Sequence, residues 1–334
     1  MNSQRPPTDA RQAKLQHTYP VPEPGCYVPA VTFFDPETDQ LCPEKQAKYF
    51  AYLASTKLKG LVILGTNAET FLLSRAERKE LLLLARKSVP SETPIIAGVS
   101  GHSTSQVLEY ISDAHEAGAN FALVLPCAYF GKQTTPEVVK AFYAQVAEKS
   151  ALPIVIYNFP AVCNGLDLDS TIITEIAQDP KVVGVKLTCG SVAKIQRLSA
   201  TFPVERFTVF GGQSDFLIGG LAAGSAGCIA AFANIFPNAV AAVYNLWMEG
   251  KYEEAKDLQN VIALAESATK AGIANTKYAA AVFTAPRAGI ENAVEFLRPR
   301  RPYLEPSAAI KDGIRNTMTE ANARETKILS SQTS

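Results

Sequence analysis

Between residues 27 and 232 the chain alternates, eight times over, a short run of β-branched and aliphatic residues with a longer stretch whose apolar positions recur at helical spacing. The strand-like runs are YVPAVTFF (27–34), LVILG (61–65), PIIAGVS (94–100), FALVLP (121–126), PIVIYNFP (153–160), VVGVKLT (182–188), FTVFGG (207–212) and AGCIAAF (226–232). Most are apolar on consecutive residues, as strands covered on both faces must be. Parallel strands of that kind need a crossover helix between neighbours, and eight such units predict an α/β fold of the (βα)8 TIM-barrel type. A doubly wound open sheet is the main competitor. It is disfavoured because no GxGxxG follows the first strand, where a nucleotide-binding version would carry it.

The rest of the chain divides by composition. Residues 1–24 read as a polar, Pro-rich arm, 25–233 as the barrel and 234–320 as an Ala-rich C-terminal helical appendage. RPRRPY (298–303) interrupts that appendage, and 321–334 is expected to fray. Ser74 and Glu77 form a capping-box pattern at one helix start, and Gly118 is placed to end another.

Charge excludes several classes of partner. The 32 basic residues are matched by 32 acidic ones, so no nucleic-acid footprint is expected. No apolar run reaches the length of a membrane span, and the N-terminus lacks the apolar core of a secretory signal, so a cytoplasmic location is expected. The six cysteines show no CxxC pairing, which predicts free thiols in a reducing compartment.

Reactive groups of a barrel gather at the C-terminal ends of its strands. The sixth run ends in Lys186, after Val182, Val183 and Val185. Withdrawing such a group from water favours its neutral amine, a nucleophile toward carbonyl carbon. The alternative is a strand-end lysine whose stem covers apolar surface while its head reaches water. The fifth run ends in Tyr157, either a proton relay or a core tyrosine. After the second run, GTNAE (65–69) offers the consecutive N–H groups and short side chains of Thr66 and Asn67. That turn is either a carboxylate cradle or an ordinary helix cap.

Two further readings carry less. Cys127, Cys163, Cys189 and Cys228 fall near strand ends, but only His17, His102 and His115 could join them, so no metal site is expected. His102 reads as a loop hydrogen-bonder. The glycines between Gly211 and Gly227 suit either a phosphate site or close backbone packing.

GTNAE after the second strand, YNFP after the fifth and GVKLT at the sixth, in this order, resemble the dihydrodipicolinate synthase and N-acetylneuraminate lyase family. The resemblance runs from about Gly25 to about Pro306. It implies that Lys186 forms an imine with the keto carbon of pyruvate or another 2-oxo acid. Tyr157 would relay the proton, and Thr66 and Asn67 would hold the carboxylate. A protonated imine is an electron sink that lets the adjacent carbon–carbon bond break or form without metal or organic cofactor. The resemblance also implies a homo-oligomer, commonly a tetramer.

Departures from the family bear on substrate. GTTGE or GSTGE is commoner than GTNAE, and the synthases' arginine, five positions after the tyrosine, is here Val162. An apolar side chain cannot make that bidentate contact, which speaks against dihydrodipicolinate synthase activity. In PCAYFG, Tyr129 is a candidate replacement for the family's fourth-strand tyrosine pair. Thr188 and Gly212, with Gln213 and Ser214, are candidate contacts for a polyol chain. The expected function is reversible cleavage of a 2-keto-3-deoxy sugar acid, such as 2-keto-3-deoxy-L-galactonate, to pyruvate and a small aldehyde such as glyceraldehyde. A 4-hydroxy-2-oxoglutarate aldolase, the synthase itself and a non-catalytic small-molecule-binding barrel are the alternatives.

Overall fold

The structure, a computed structural model, describes residues 19–332, so most of the N-terminal arm lies outside it. Eight parallel strands close into a barrel in chain order. They are β1 Gly25–Pro29, β2 Gly60–Ile63, β3 Ile95–Gly98, β4 Phe121–Val124, β5 Ile154–Asn158, β6 Val182–Leu187, β7 Thr208–Gly211 and β8 Gly227–Ile229. β8 returns to β1, with Cys26 opposite Cys228.

The crossover helices are α1 Pro43–Ser55, α2 Arg75–Ser88, α3 Thr104–Glu116, α4 Pro136–Lys149, α5 Ser170–Ile176, α6 Val192–Thr201 and α7 Leu217–Ala222. Their starts follow from local chemistry. Ser74 and Glu77 cap α2 reciprocally, Ser103, Thr135, Asp169 and Ser191 each accept an N–H of the helix they precede, and Gly118 turns the chain at φ 81°.

Side-chain alternation along the strands divides the apolar residues into two cores. Tyr27, Val62, Ile96, Leu123, Val155, Val183, Phe210 and Ile229 fill the barrel interior. Their neighbours in sequence, such as Val28, Ile63, Val124 and Ile156, pack outward beneath the helices. β6 breaks the alternation. Opposite Ile154 and Val155 of β5 stand Val182 and Gly184, so β6 carries one extra residue, Val183, in a bulge.

The C-terminal region comprises α8 Pro237–Met248, α9 Tyr252–Glu266, α10 Ile273–Phe283, α11 Ala293–Phe296, α12 Ala308–Thr317 and α13 Thr319–Gln332. α8 lies against β1, where the Val240 carbonyl accepts from the Cys26 thiol, so the eighth helix of the ring lies beyond the boundary expected at residue 233. The tail expected to fray from residue 321 is instead helical through Gln332. Its anchor is the buried Glu325, whose carboxylate accepts from the Asn238 N–H (3.1 Å), the Asn238 side-chain amide (2.8 Å) and the Ala239 N–H (2.6 Å). A carboxylate on the first N–H groups of α8 satisfies donors that the helix cannot satisfy itself. That partner lies far away in sequence, which is why a polar tail looked unanchored. Among the described residues no helix is long and apolar enough to cross a membrane. All six cysteines are free thiols, although the Sγ atoms of Cys26 and Cys228 lie 3.6 Å apart.

Candidate active site

The bulge in β6 decides where the lysine points. Counting by twos from the inward Val183 would send Lys186 outward, but the extra residue reverses the parity. Val185 and Leu187 pack in the outer shell, and Lys186 turns into the barrel, in register with Tyr157 of β5 and Phe210 of β7. Gly184 is needed at the bulge, because a Cβ there would lie 2.6 Å from Thr208 Oγ1 and 2.8 Å from the Thr208 carbonyl.

Lys186 is 2% exposed and Tyr157 3%. The Lys186 Nζ sits 4.3 Å from the centroid of the Tyr157 ring, a cation–π distance. The Tyr157 hydroxyl lies 3.3 Å from Thr66 Oγ1. An amine, a phenol and the threonine of the GTNAE turn therefore form one chain of contacts across the mouth. Cys163, in the same interior cluster, stays a thiol, since burial pushes its pKa up to about 12.

The GTNAE turn is shaped by two left-handed residues, Leu64 at φ 65° and Glu69 at φ 57°. Thr66–Ala68 between them form a 3-10 turn whose first bonds run from Ala68 N to Gly65 O and from Glu69 N to Thr66 O. The N–H groups of Thr66 and Asn67 precede those bonds and have no acceptor within the turn. β3 approaches closely from below: a Cβ on Gly98 would lie 2.0 Å from the Leu64 carbonyl.

On the other side of the mouth stand Thr188 and Gly212. By alternation from Lys186, Thr188 faces inward, and its buried hydroxyl has no hydrogen-bond partner among the described residues. A Cβ on Gly212 would lie 2.1 Å from that hydroxyl, which gives this glycine a packing reason. Beyond it, the buried Glu266 accepts from the Ser214 hydroxyl and from its N–H (3.1 Å), and burial holds its carboxyl above the usual carboxylate range. Lys270 lies 3.0 Å from Glu266, 2.8 Å from Asp215 and 2.6 Å from the Gln213 amide oxygen, so its donors are engaged.

Tyr129 stands apart from this group. It is 70% exposed, with its ring 5.6 Å from His102 and 5.3 Å from Phe130. His102 itself stacks on Phe71 at 5.5 Å, and the Val162 side chain is largely exposed. The structure thus joins Lys186, Tyr157 and Thr66 by contact and places Thr188 beside Gly212, with Tyr129 out on an aromatic rim. Sequence reasoning passed over Phe210, which the alternation of β7 could have assigned to the interior, and the fifth residue of GTNAE, Glu69. The latter is paired with Lys277 of α10, for which no local signal exists.

A closed barrel with a buried lysine at a strand end suits chemistry through the protein's own amino group. Residues 24–320 match the Dihydrodipicolinate synthetase family, and the chain belongs to it. It is 61% identical over 306 residues, covering 91% of this chain and 98% of the relative, to a Coccidioides immitis protein provisionally named 4-hydroxy-2-oxoglutarate aldolase, mitochondrial. It is 34% identical over 284 residues, 77% of this chain and 85% of the relative, to the L-threo-3-deoxy-hexylosonate aldolase of Aspergillus niger. A crystal structure of a dihydrodipicolinate synthase family protein from Coccidioides immitis superposes with a TM-score of 0.87 at 59% identity, covering 92% of this chain and 98% of that one. The protein is a carbon–carbon lyase of the pyruvate aldolase kind.

Proposed function

We propose that the protein cleaves a 2-keto-3-deoxy sugar acid, such as 2-keto-3-deoxy-L-galactonate, reversibly to pyruvate and a small neutral aldehyde such as glyceraldehyde. The observation that supports the chemistry is the chain of contacts from Lys186 through Tyr157 to Thr66. Lys186 Nζ attacks the keto carbon, and loss of water gives a protonated imine. The hydroxyl on C4 gives up its proton to the Tyr157 oxygen as that oxygen passes its own proton on to Thr66 Oγ1 and thence to solvent, and the C3–C4 bond breaks. The bond's electron pair moves into the imine to form an enamine, and the aldehyde leaves. Protonation of the enamine carbon and hydrolysis then return pyruvate and free Lys186. The Thr66 and Asn67 N–H groups donate to the substrate carboxylate, and an inward Thr188 hydroxyl suits the polyol end.

The aldehyde side supports a neutral leaving group. Lys270 is already engaged with two carboxylates and an amide, and Val162 stands where a synthase would offer its arginine. A second reading, cleavage of 4-hydroxy-2-oxoglutarate to pyruvate and glyoxylate, is favoured by the name of the relative at 61% identity. Pyruvate release from each acid, measured side by side, decides between them. A higher kcat/KM on 4-hydroxy-2-oxoglutarate would overturn the first reading. Borohydride with pyruvate should fix an adduct on Lys186 that Lys186→Ala abolishes.

The assembly suggested by the family is a homotetramer, to be weighed by light scattering. A cytoplasmic location competes with the mitochondrial one in that relative's name, and fractionation decides.

A further inference from the structure

We propose that the C-terminal region is part of the catalytic apparatus: the buried Glu69–Lys277 pair, closed by the backbone N–H of Arg300, positions the Thr66–Asn67 turn and so sets affinity for the 2-oxo acid carboxylate. This rests on the reading of that turn given above.

Glu69 ends the turn and Lys277 lies on α10; their side chains are 4% and 0% exposed, and Lys277 Nζ is 2.6 Å from Glu69 Oε2. The other carboxylate oxygen, Oε1, accepts the Arg300 N–H at 2.8 Å. The Arg300 guanidinium continues the tie, donating to the Leu72 carbonyl (2.9 Å) and to both Glu77 oxygens (3.0 and 2.6 Å), with Asp39 Oδ2 at 3.4 Å. The segment RPRRPY, which interrupts the helices, is thereby laid along residues 69–77. On the barrel side Thr32 Oγ1 donates to the Ala68 carbonyl at 2.9 Å.

Burying a charge pair is costly, and hydrophobic residues of like volume usually serve a core as well or better. What the pair provides is direction. Glu69 sits in a left-handed conformation that a residue with a Cβ keeps only when its surroundings impose it. Releasing its carboxylate frees that torsion, and the two N–H groups ahead of it lose their aim while Lys186 and Tyr157 stay in place. Glu69 and Lys277 touch no substrate, so they are positioning residues.

The test compares wild type with Glu69→Gln/Lys277→Met, which removes both charges at nearly constant volume, and with the isosteric Glu69→Gln alone. The pyruvate concentration for half-maximal borohydride trapping at Lys186 should rise about tenfold in the double variant and about threefold in the single one. Trapping at saturation should stay complete, and kcat should change less than KM. In wild type the affinity should weaken above about pH 8, because burial holds Lys277 at about 8 against the pull of Glu69 and Asp39, with Arg300 adding to the lowering. Below that pH the ammonium is charged and the tie intact, and above it the tie is lost. Both variants should lack this limb. If the double variant does not fold, Glu69→Gln decides. Wild-type half-saturation and an unchanged alkaline limb in the folded variants overturn the proposal. If wild type itself traps no pyruvate on Lys186, the aldolase reading falls and this inference with it.

Discussion

The two halves of the barrel mouth are built differently. On the pyruvate side, Lys186, Tyr157 and Thr66 form a chain of contacts, and the turn behind them is fastened through Glu69 to Lys277 and Arg300. On the aldehyde side, the Thr188 hydroxyl is buried without a partner among the described residues, while Tyr129 and Phe130 stand exposed at the rim near His102 and Phe71. Groups already satisfied within the protein hold their geometry before substrate arrives, which is what a reaction through a fixed imine requires. Unpartnered groups are completed by the ligand, so this side is where substrates can be told apart. On the function proposed above, chemistry and specificity therefore sit on opposite sides of the mouth.

That division can be broken most sharply at the amine. Lys186→Ala should bring pyruvate release from any substrate below detection. Tyr157→Phe should lower kcat by roughly 10²–10⁴-fold, the range for losing a positioned proton-transfer group, with the adduct still forming slowly. Both losses should be the same for every aldehyde tried, and a loss confined to one aldehyde would contradict the division. Thr188→Val, by contrast, should raise KM for the sugar acid about tenfold, the worth of one hydrogen bond, and leave pyruvate trapping untouched. Val162→Arg should shift preference toward glyoxylate or aspartate semialdehyde over glyceraldehyde by only about a few-fold, because the position is exposed and a charge there is screened. Glu325→Ala serves as a control at a residue that belongs to neither half. Losing the carboxylate that caps α8 should cost about 1–2 kcal/mol and lower Tm by about 1.5–3 °C, with kcat/KM at 25 °C unchanged.

The eightfold alternation of strand and helix was legible because burial on both faces leaves a compositional mark on each strand. The residues at strand ends could be named for the same reason: a barrel assigns its mouth by position in the chain. Parity could not be read. From Val183 a strict count by twos places Lys186 in the outer shell, and the register shift against β5 that turns it inward depends on pairing between strands. Glu69 was visible inside GTNAE, but its partner Lys277 is 208 residues away, and nothing local announces it. Tyr129 stands on the rim, apart from the Lys186–Tyr157–Thr66 contacts, because sequence order gives its place near the mouth and not the direction of its ring. The polar tail misled because one glutamate, not a hydrophobic stripe, fastens it.

The irregularity in β6 also bears on how such chemistry could be transplanted. Placing a lysine four residues after an outward-facing strand start in another barrel, as Lys186 follows Val182, would leave its amine among helices, facing hydrocarbon instead of a ligand. An odd insertion upstream, with a glycine to make room for it, would have to accompany the lysine. Deleting Val183 here should accordingly close the bulge and leave a regular strand with Lys186 still opposite Tyr157.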